Sequence, residues 1–225
     1  DTIDREWRSF DAIMRPMSAC RHRWEHVLGN HDFAVLDAEK AQVAARLGLA
    51  ARRRFFDRPG FRFVFLDTGA VSVYATRDGS DARRVAAAWL TRAQEQKLPQ
   101  AQDWNGAVGA AQLAWFEGVA ADAARRGLKV VVCAHHPVAP AGAHDAWDAT
   151  DVLAALGRHR NVVAWFNGHN HAGGFACPDG LPCVTFHGMV ETPRTNAFAT
   201  ARFLGDRILI EGHGREPSRE LLFRS

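Results

Sequence analysis

The sequence predicts an α/β fold built on a largely parallel sheet, and three observations carry that prediction. Short continuous apolar runs such as Val130-Val131-Val132 read as strands buried on both faces. Segments with helical periodicity alternate with them, at 108–127 and 150–159. Runs rich in potential ligands follow predicted strands: Gly29-Asn30-His31-Asp32, His135-His136-Pro137 and Gly168-His169-Asn170-His171. Open α/β sheets gather their sites at those strand ends. A chain of 225 residues suffices for one such domain with a substantial core.

In order along the chain, residues 5–19 are expected to be helical, because Trp7, Phe10, Ile13, Met14 and Met17 recur at helical spacing. Residues 24–28 alternate as a strand would and lead into the Gly29 turn. Asp37 is placed to cap a helix running to about Leu47. Residues 61–66 read as a strand that stops at Asp67-Thr68-Gly69, and 81–97 as a helix. The connection at 99–109, rich in Pro, Gln, Asn and Gly, reads as loop. The helix that follows puts Leu113, Phe116, Ala120 and Ala123 on one face and ends at Gly127. The strand at 129–133 then delivers His135. A further helix and a strand at 162–166 repeat the unit and deliver His169 and His171. The remainder is strand-rich, at 183–187, 197–204 and 207–211, with Gly205-Asp206 as a hairpin turn.

A hydrophobic fraction of 47% and a charged fraction of 24% are globular proportions and exclude a disordered or fibrous chain. The net charge of +3 is carried mostly by scattered arginines. Arg52-Arg53-Arg54, their tightest run, reads as a solvated helix end rather than a nucleic-acid footprint. No stretch approaches the ~20 apolar residues of a membrane span, and no apolar leader opens the chain. Neither nucleic acid nor membrane is therefore an expected partner, and cytosol is the expected compartment; the oligomeric state is not legible. Cys177 and Cys183 flank a Pro178-Asp179-Gly180 turn that a hairpin disulfide would suit. With Cys20 and Cys133 standing apart, the cysteines form no disulfide framework, and no CxxC pair suggests a zinc ribbon.

Asn30, His135, His169 and His171 make a mixed N/O set suited to Mn, Fe or Zn. Asp1-Thr2-Ile3-Asp4 reads like the tail of a Gly-Asp-x-x-Asp motif, which makes Asp1 the candidate carboxylate bridging two ions. Such a pair, about 3.5–4 Å apart, acidifies a bridging water and clamps phosphoryl oxygens. Asn30, His135 and His169 would complete one ion and His171 would belong to the other. His31, next to a ligand without being one, is suited to protonating a leaving oxygen, with Asp32 orienting its imidazole. His22, His26, His144, His159 and His213 are expected to be bystanders, and His187 is open. Trp104 and Trp115 read as packing residues rather than a base-stacking platform.

These motifs resemble the calcineurin-like metallophosphoesterase superfamily. The runs from Trp104 to Gly109, Gln112-Leu113-Ala114-Trp115, Gly168 to Gly174, Glu191-Thr192-Pro193 and Ala197 to Ala201 are similar to the manganese-dependent ADP-ribose/CDP-alcohol diphosphatases. The resemblance implies a four-layer αββα sandwich with a dinuclear centre at one edge. It implies two divalent ions, Mn with Fe, Zn or Mg as alternatives, held by Asp1, Asn30, His135, His169 and His171, with His31 as the catalytic imidazole. His135 rather than His136 is the matching ligand, being the first residue of the His-x-Pro pattern. Superfamily members begin with a strand ending in Asp-x-His, and none precedes Asp1. Residues 1–225 are accordingly expected to be a single domain lacking that strand, with further residues upstream in the natural protein. The implied reaction is hydrolysis of a phosphoanhydride in a nucleoside diphosphate derivative, a small-molecule nucleotide of the ADP-ribose or CDP-alcohol type. The alternatives are a phosphodiesterase for cyclic nucleotides or small diesters, and a non-catalytic scaffold. Asn105, Gly106, Gly173 and Gly174 are expected to border the cleft and contact substrate, where backbone N–H groups can approach phosphates.

Overall fold

The structure, a computed structural model, describes residues 2–17 and 24–224. Asp1, Cys20 and His22 lie outside the described residues. The larger of two sheets contains β1 (Arg54–Arg58), β2 (Phe61–Phe65), β3 (Lys129–Cys133), β4 (Val162–Asn167), β5 (Gly174–Ala176) and β6 (Cys183–Thr185), in the order β1-β2-β3-β4-β6-β5. Its central strands β2, β3, β4 and β6 run parallel, and antiparallel β1 and β5 close the two edges. The smaller sheet is an antiparallel meander of β7 (Ala197–Phe203), β8 (Arg207–Gly214) and β9 (Arg219–Leu222). The helices are α1 (Thr2–Met17), α2 (Val43–Arg46), α3 (Asp81–Glu95), α4 (Ala110–Arg125) and α5 (Ala149–Gly157).

Alternation along the buried strands builds two cores at once, since successive side chains point to opposite faces. From β3, Val130 and Val132 meet Phe116, Ala120 and Ala123 of α4 and Val152 and Leu156 of α5. Val131 points the other way, joining Phe61, Val163, Ala164 and Val184 against Ile208, Ile210 and Leu221 of the smaller sheet. The layers are thus helices, sheet and sheet, with the two sheets face to face as expected. The outer face of the smaller sheet carries Phe198, Thr200, Arg202, Glu211, Glu220 and Leu222, all exposed; among the described residues no helix supplies the expected fourth layer there.

The long helices and central strands stand where periodicity predicts them, and three expectations are corrected. Residues 24–28 join neither sheet. The Arg54 side chain reaches the Glu25 carboxylate (2.8 Å) and the His26 carbonyl (2.7 Å), so side-chain bonds replace a ladder. Asp37 caps no helix: its Oδ1 accepts from the Asp78 N–H at 3.0 Å, and only a 3₁₀ turn and the short α2 follow. Arg52-Arg53-Arg54 is no helix end. Arg54 opens β1, and Arg52 pairs at 2.7 Å with buried Asp67. Edge strands β1, β5 and β9 were not foreseen. β5 is only three residues long, and the short β1 and β9 carry charged residues, so neither buried-run nor strict alternation signals mark them. Cys133, Cys177 and Cys183 are free thiols.

Candidate metal centre

Two parallel strands set the floor of the site. β3 runs out into His135 and β4 into His169, and the Gly168 N–H donates to the His135 carbonyl at 3.1 Å, holding the two strand ends together. His169 adopts φ +67°, a left-handed conformation that a residue with a Cβ rarely takes. The third contributor is the turn after Gly29. A Cβ at Gly29 would lie 2.5 Å from His135 Cε1, so only glycine lets this turn approach the imidazole. Asp32 Oδ2 accepts from the Gly29 N–H at 2.7 Å and closes the turn. Burial raises the Asp32 carboxyl above its ordinary pKa, against the pull of that hydrogen bond. Asp32 therefore shapes the backbone carrying Asn30, and His31 is among the charged neighbours of its carboxylate.

The result is a convergence of acceptor atoms. His135 Nε2 lies 3.0 Å from Asn30 Oδ1 and 3.0 Å from His169 Nδ1. The proton assignment follows from Asn105. Its amide nitrogen is committed to the carbonyls of Gln100 (3.0 Å) and Ala143 (2.7 Å). Its Oδ1 thus faces His169 Nε2 at 2.8 Å, and Nε2 must carry the hydrogen. That leaves His169 Nδ1 with a lone pair pointed at His135 Nε2. A single hydrogen on His135 Nε2 could serve only one of its two acceptor neighbours, whereas a cation serves every one. Donors at ~2.1 Å from a shared ion and at right angles lie about 3.0 Å apart, the separation found here. The donor set fits one divalent ion.

Both imidazoles are neutral at neutral pH. Burial pushes His135 down to about 4, with the nearby His31 and His171 adding to the effect. Burial likewise lowers His169 to about 3, with His135 and the other neighbouring imidazoles contributing. Neutral imidazole is the form that ligates. His136 belongs to the same cluster by proximity, yet it is no ligand. Its Nδ1 faces Thr68 Oγ1 at 2.6 Å, its Nε2 faces the Trp104 carbonyl at 3.4 Å, and it is buried. Both ring nitrogens are spoken for, which agrees with His135 as the ligand.

His171 stands at the open side of the site, with Nδ1 2.7 Å from Glu191 Oε1. That contact leaves Nε2 available, the arrangement in which a carboxylate fixes the ring and tautomer of a metal-binding histidine. Gly188 makes the contact possible, because a Cβ there would lie 2.8 Å from Glu191 Cγ and 3.0 Å from His171 Cβ. His31 and His171 share one cleft of about 460 Å³ with Asn30, Tyr74, Trp104, His144, His169, Asn170 and Ala172. His144, expected to be a bystander, lines this cleft with its ring centroid 5.5 Å from that of His169. His187, left open by the sequence, meets buried Glu216 through its N–H (2.8 Å) and Nδ1 (3.0 Å).

The expected substrate contacts do not line this cleft. Asn105 is fully buried and serves as the second-layer partner of His169. Gly106 is glycine because a Cβ would meet the Thr68 carbonyl at 2.6 Å. Gly173 has φ +70° and packs on the His187 ring, and Gly174 pairs with Thr185 in the sheet. Glu191 and Tyr74 went unassigned because loops bring them in from distant positions. A glutamate heading an exposed Glu-Thr-Pro turn gives no local sign of an imidazole partner.

The calcineurin-like phosphoesterase model matches residues 1–173. The manganese-dependent ADP-ribose/CDP-alcohol diphosphatase of Danio rerio is 30% identical, across 92% of this chain and 74% of its own length. The enzyme of that name from Bos taurus is 28% identical across 96% of this chain and 74% of its own length. The crystal structure of a dimetal phosphatase from Danio rerio superposes with a TM-score of 0.83 at 28% identity, covering 96% of this chain and 77% of that one. The strand-end histidines, the convergent donors and these similarities agree: the chain belongs to the calcineurin-like phosphoesterase family.

Proposed function

We propose that the protein hydrolyses the phosphoanhydride of a nucleoside diphosphate derivative, of the ADP-ribose or CDP-alcohol type, to a nucleoside monophosphate and a second phosphate ester. The observation that carries this reading is the meeting of Asn30 Oδ1, His135 Nε2 and His169 Nδ1 beside His31 and His171 in one cleft. Similarity to the diphosphatases over most of the chain supports the substrate class.

Two divalent ions, manganese foremost, would supply an acidified water and neutralise phosphate charge when bound. Asn30, His135 and His169 would hold one. His171, braced by Glu191, would serve the other together with Asp1, which lies outside the described residues. An exposed imidazole at His31 can present an N–H to the phosphate oxygen that leaves as the anhydride bond breaks. Asn105 and Asp32 act behind the ligands, keeping His169 and Asn30 in place.

Parallel assays of ADP-ribose, CDP-choline and cyclic AMP with Mn²⁺ test the proposal. ADP-ribose should give AMP and ribose 5-phosphate, and CDP-choline should give CMP and phosphocholine. Turnover of cyclic AMP at a higher kcat/KM than either would transfer the assignment to a phosphodiesterase.

A further inference from the structure

Trp104 stands out among the residues lining the cleft. Its side chain is 39% exposed, whereas Trp147 and Trp165 are 6% and 0% exposed. Its backbone, by contrast, is bolted down. The Trp104 carbonyl faces His136 Nε2 at 3.4 Å, and the next residue, Asn105, spans two carbonyls and His169 Nε2. Gly106 then packs against the Thr68 carbonyl with no room for a Cβ. A large exposed aromatic on a tightly packed segment anchored by Asn105 and Gly106 is displayed rather than packed. The residue directly after it, Asn105, carries the side chain that faces His169 Nε2 at 2.8 Å.

A nucleoside diphosphate derivative presents anionic phosphates at its centre and a planar base at one end. The cleft offers the complementary pair, a cation-binding donor set and an indole face. We infer that Trp104 is a specificity-determining residue whose indole stacks on the nucleobase of the substrate. Asn105 sets its spacing from the centre that handles the phosphates. Every base has a π-face, so stacking favours nucleotides as a class and discriminates weakly between adenine and cytosine. The inference rests on the nucleotide diphosphatase reading given above.

The test uses the full chain with Mn²⁺. Trp104→Ala should raise KM for ADP-ribose on the order of 10-fold or more with kcat nearly unchanged, and Trp104→Phe should recover most of the loss. Diethyl diphosphate, which has the anhydride but no base, should be hydrolysed equally by both variants and the parent protein. An unchanged KM for ADP-ribose in Trp104→Ala, or an equal loss on both substrates, would overturn the inference. Fluorescence titration with AMP supplies a readout that needs no turnover. Quenching in the parent protein that disappears in Trp104→Phe supports stacking, and quenching identical in the two refutes it. A parent protein that hydrolyses diethyl diphosphate but neither nucleotide would sink the functional reading instead, leaving the titration to judge Trp104.

Discussion

At the scale of single residues, the centre depends as much on what stands behind the ligands as on the ligands. Glu191 touches no donor atom of the Asn30, His135 and His169 set, yet it holds His171 Nδ1 at 2.7 Å. Removing such a partner commonly costs 10–100-fold in metal affinity. Glu191→Ala should therefore weaken Mn²⁺ binding at one site by roughly that factor while Glu191→Asp retains part of it, as measured by calorimetric titration; unchanged affinity in Glu191→Ala would remove the brace. His31 should behave in the opposite way. Its replacement by Ala is expected to lower kcat by about 10²–10⁴-fold, the range for general acids, with metal content unchanged on elemental analysis. Loss of metal would make His31 a ligand. Gly29 is a third case, in which a single methyl group at 2.5 Å from the His135 ring should displace either the turn or the ligand.

At the scale of elements, buried carboxylates tie the loops around the cleft to the helices. Asp148 accepts from the N–H groups of Val108 (3.1 Å) and Gly109 (2.8 Å), just where α4 begins, and so anchors the segment that carries Asn105. Asp145, on the loop leading to α5, accepts from Gly142 N–H at 3.1 Å, and burial raises it to about 6. Because its folded pKa lies above its unfolded value of 3.8, its favourable contribution is complete below pH 3.8 and is lost as pH rises through 6. Asp145→Asn should accordingly stabilise the fold at pH 7.5 by on the order of 1 kcal/mol once screening by water is allowed for, read as a higher Tm, and leave Tm nearly unchanged at pH 4. Thermal unfolding at the two pH values checks the sign, and an effect confined to pH 4 would contradict it. Elements also decided what was legible. β3 and β4 were readable because strands buried on both faces must be apolar throughout. Residues 24–28 alternate like a strand, but among the described residues no strand pairs with them, and pairing is a property of the whole sheet.

At the scale of the molecule, the fold brings donor atoms from three distant parts of the sequence together, with Asn30 Oδ1 and His169 Nδ1 each 3.0 Å from His135 Nε2. The motifs announced themselves because Gly or Pro sits beside each ligand wherever backbone must turn sharply or approach closely. Asn105 was expected to meet substrate, and its place behind His169 arises only when the loops at 99–109 and 140–148 fold over the strand ends. Its local sequence says loop and no more. The family fold accounts for the rest: two sheets packed face to face hold the ends of β3 and β4 rigidly at one edge, and function is carried by what those ends present. The central claim is that this edge holds divalent ions on which hydrolysis depends. Its most direct test is ADP-ribose hydrolysis after chelation and dialysis, with metal content measured in parallel. Activity should vanish with the metal and return with Mn²⁺ better than with Mg²⁺, which prefers an all-oxygen shell. Full turnover by protein shown to be free of metal would contradict the account.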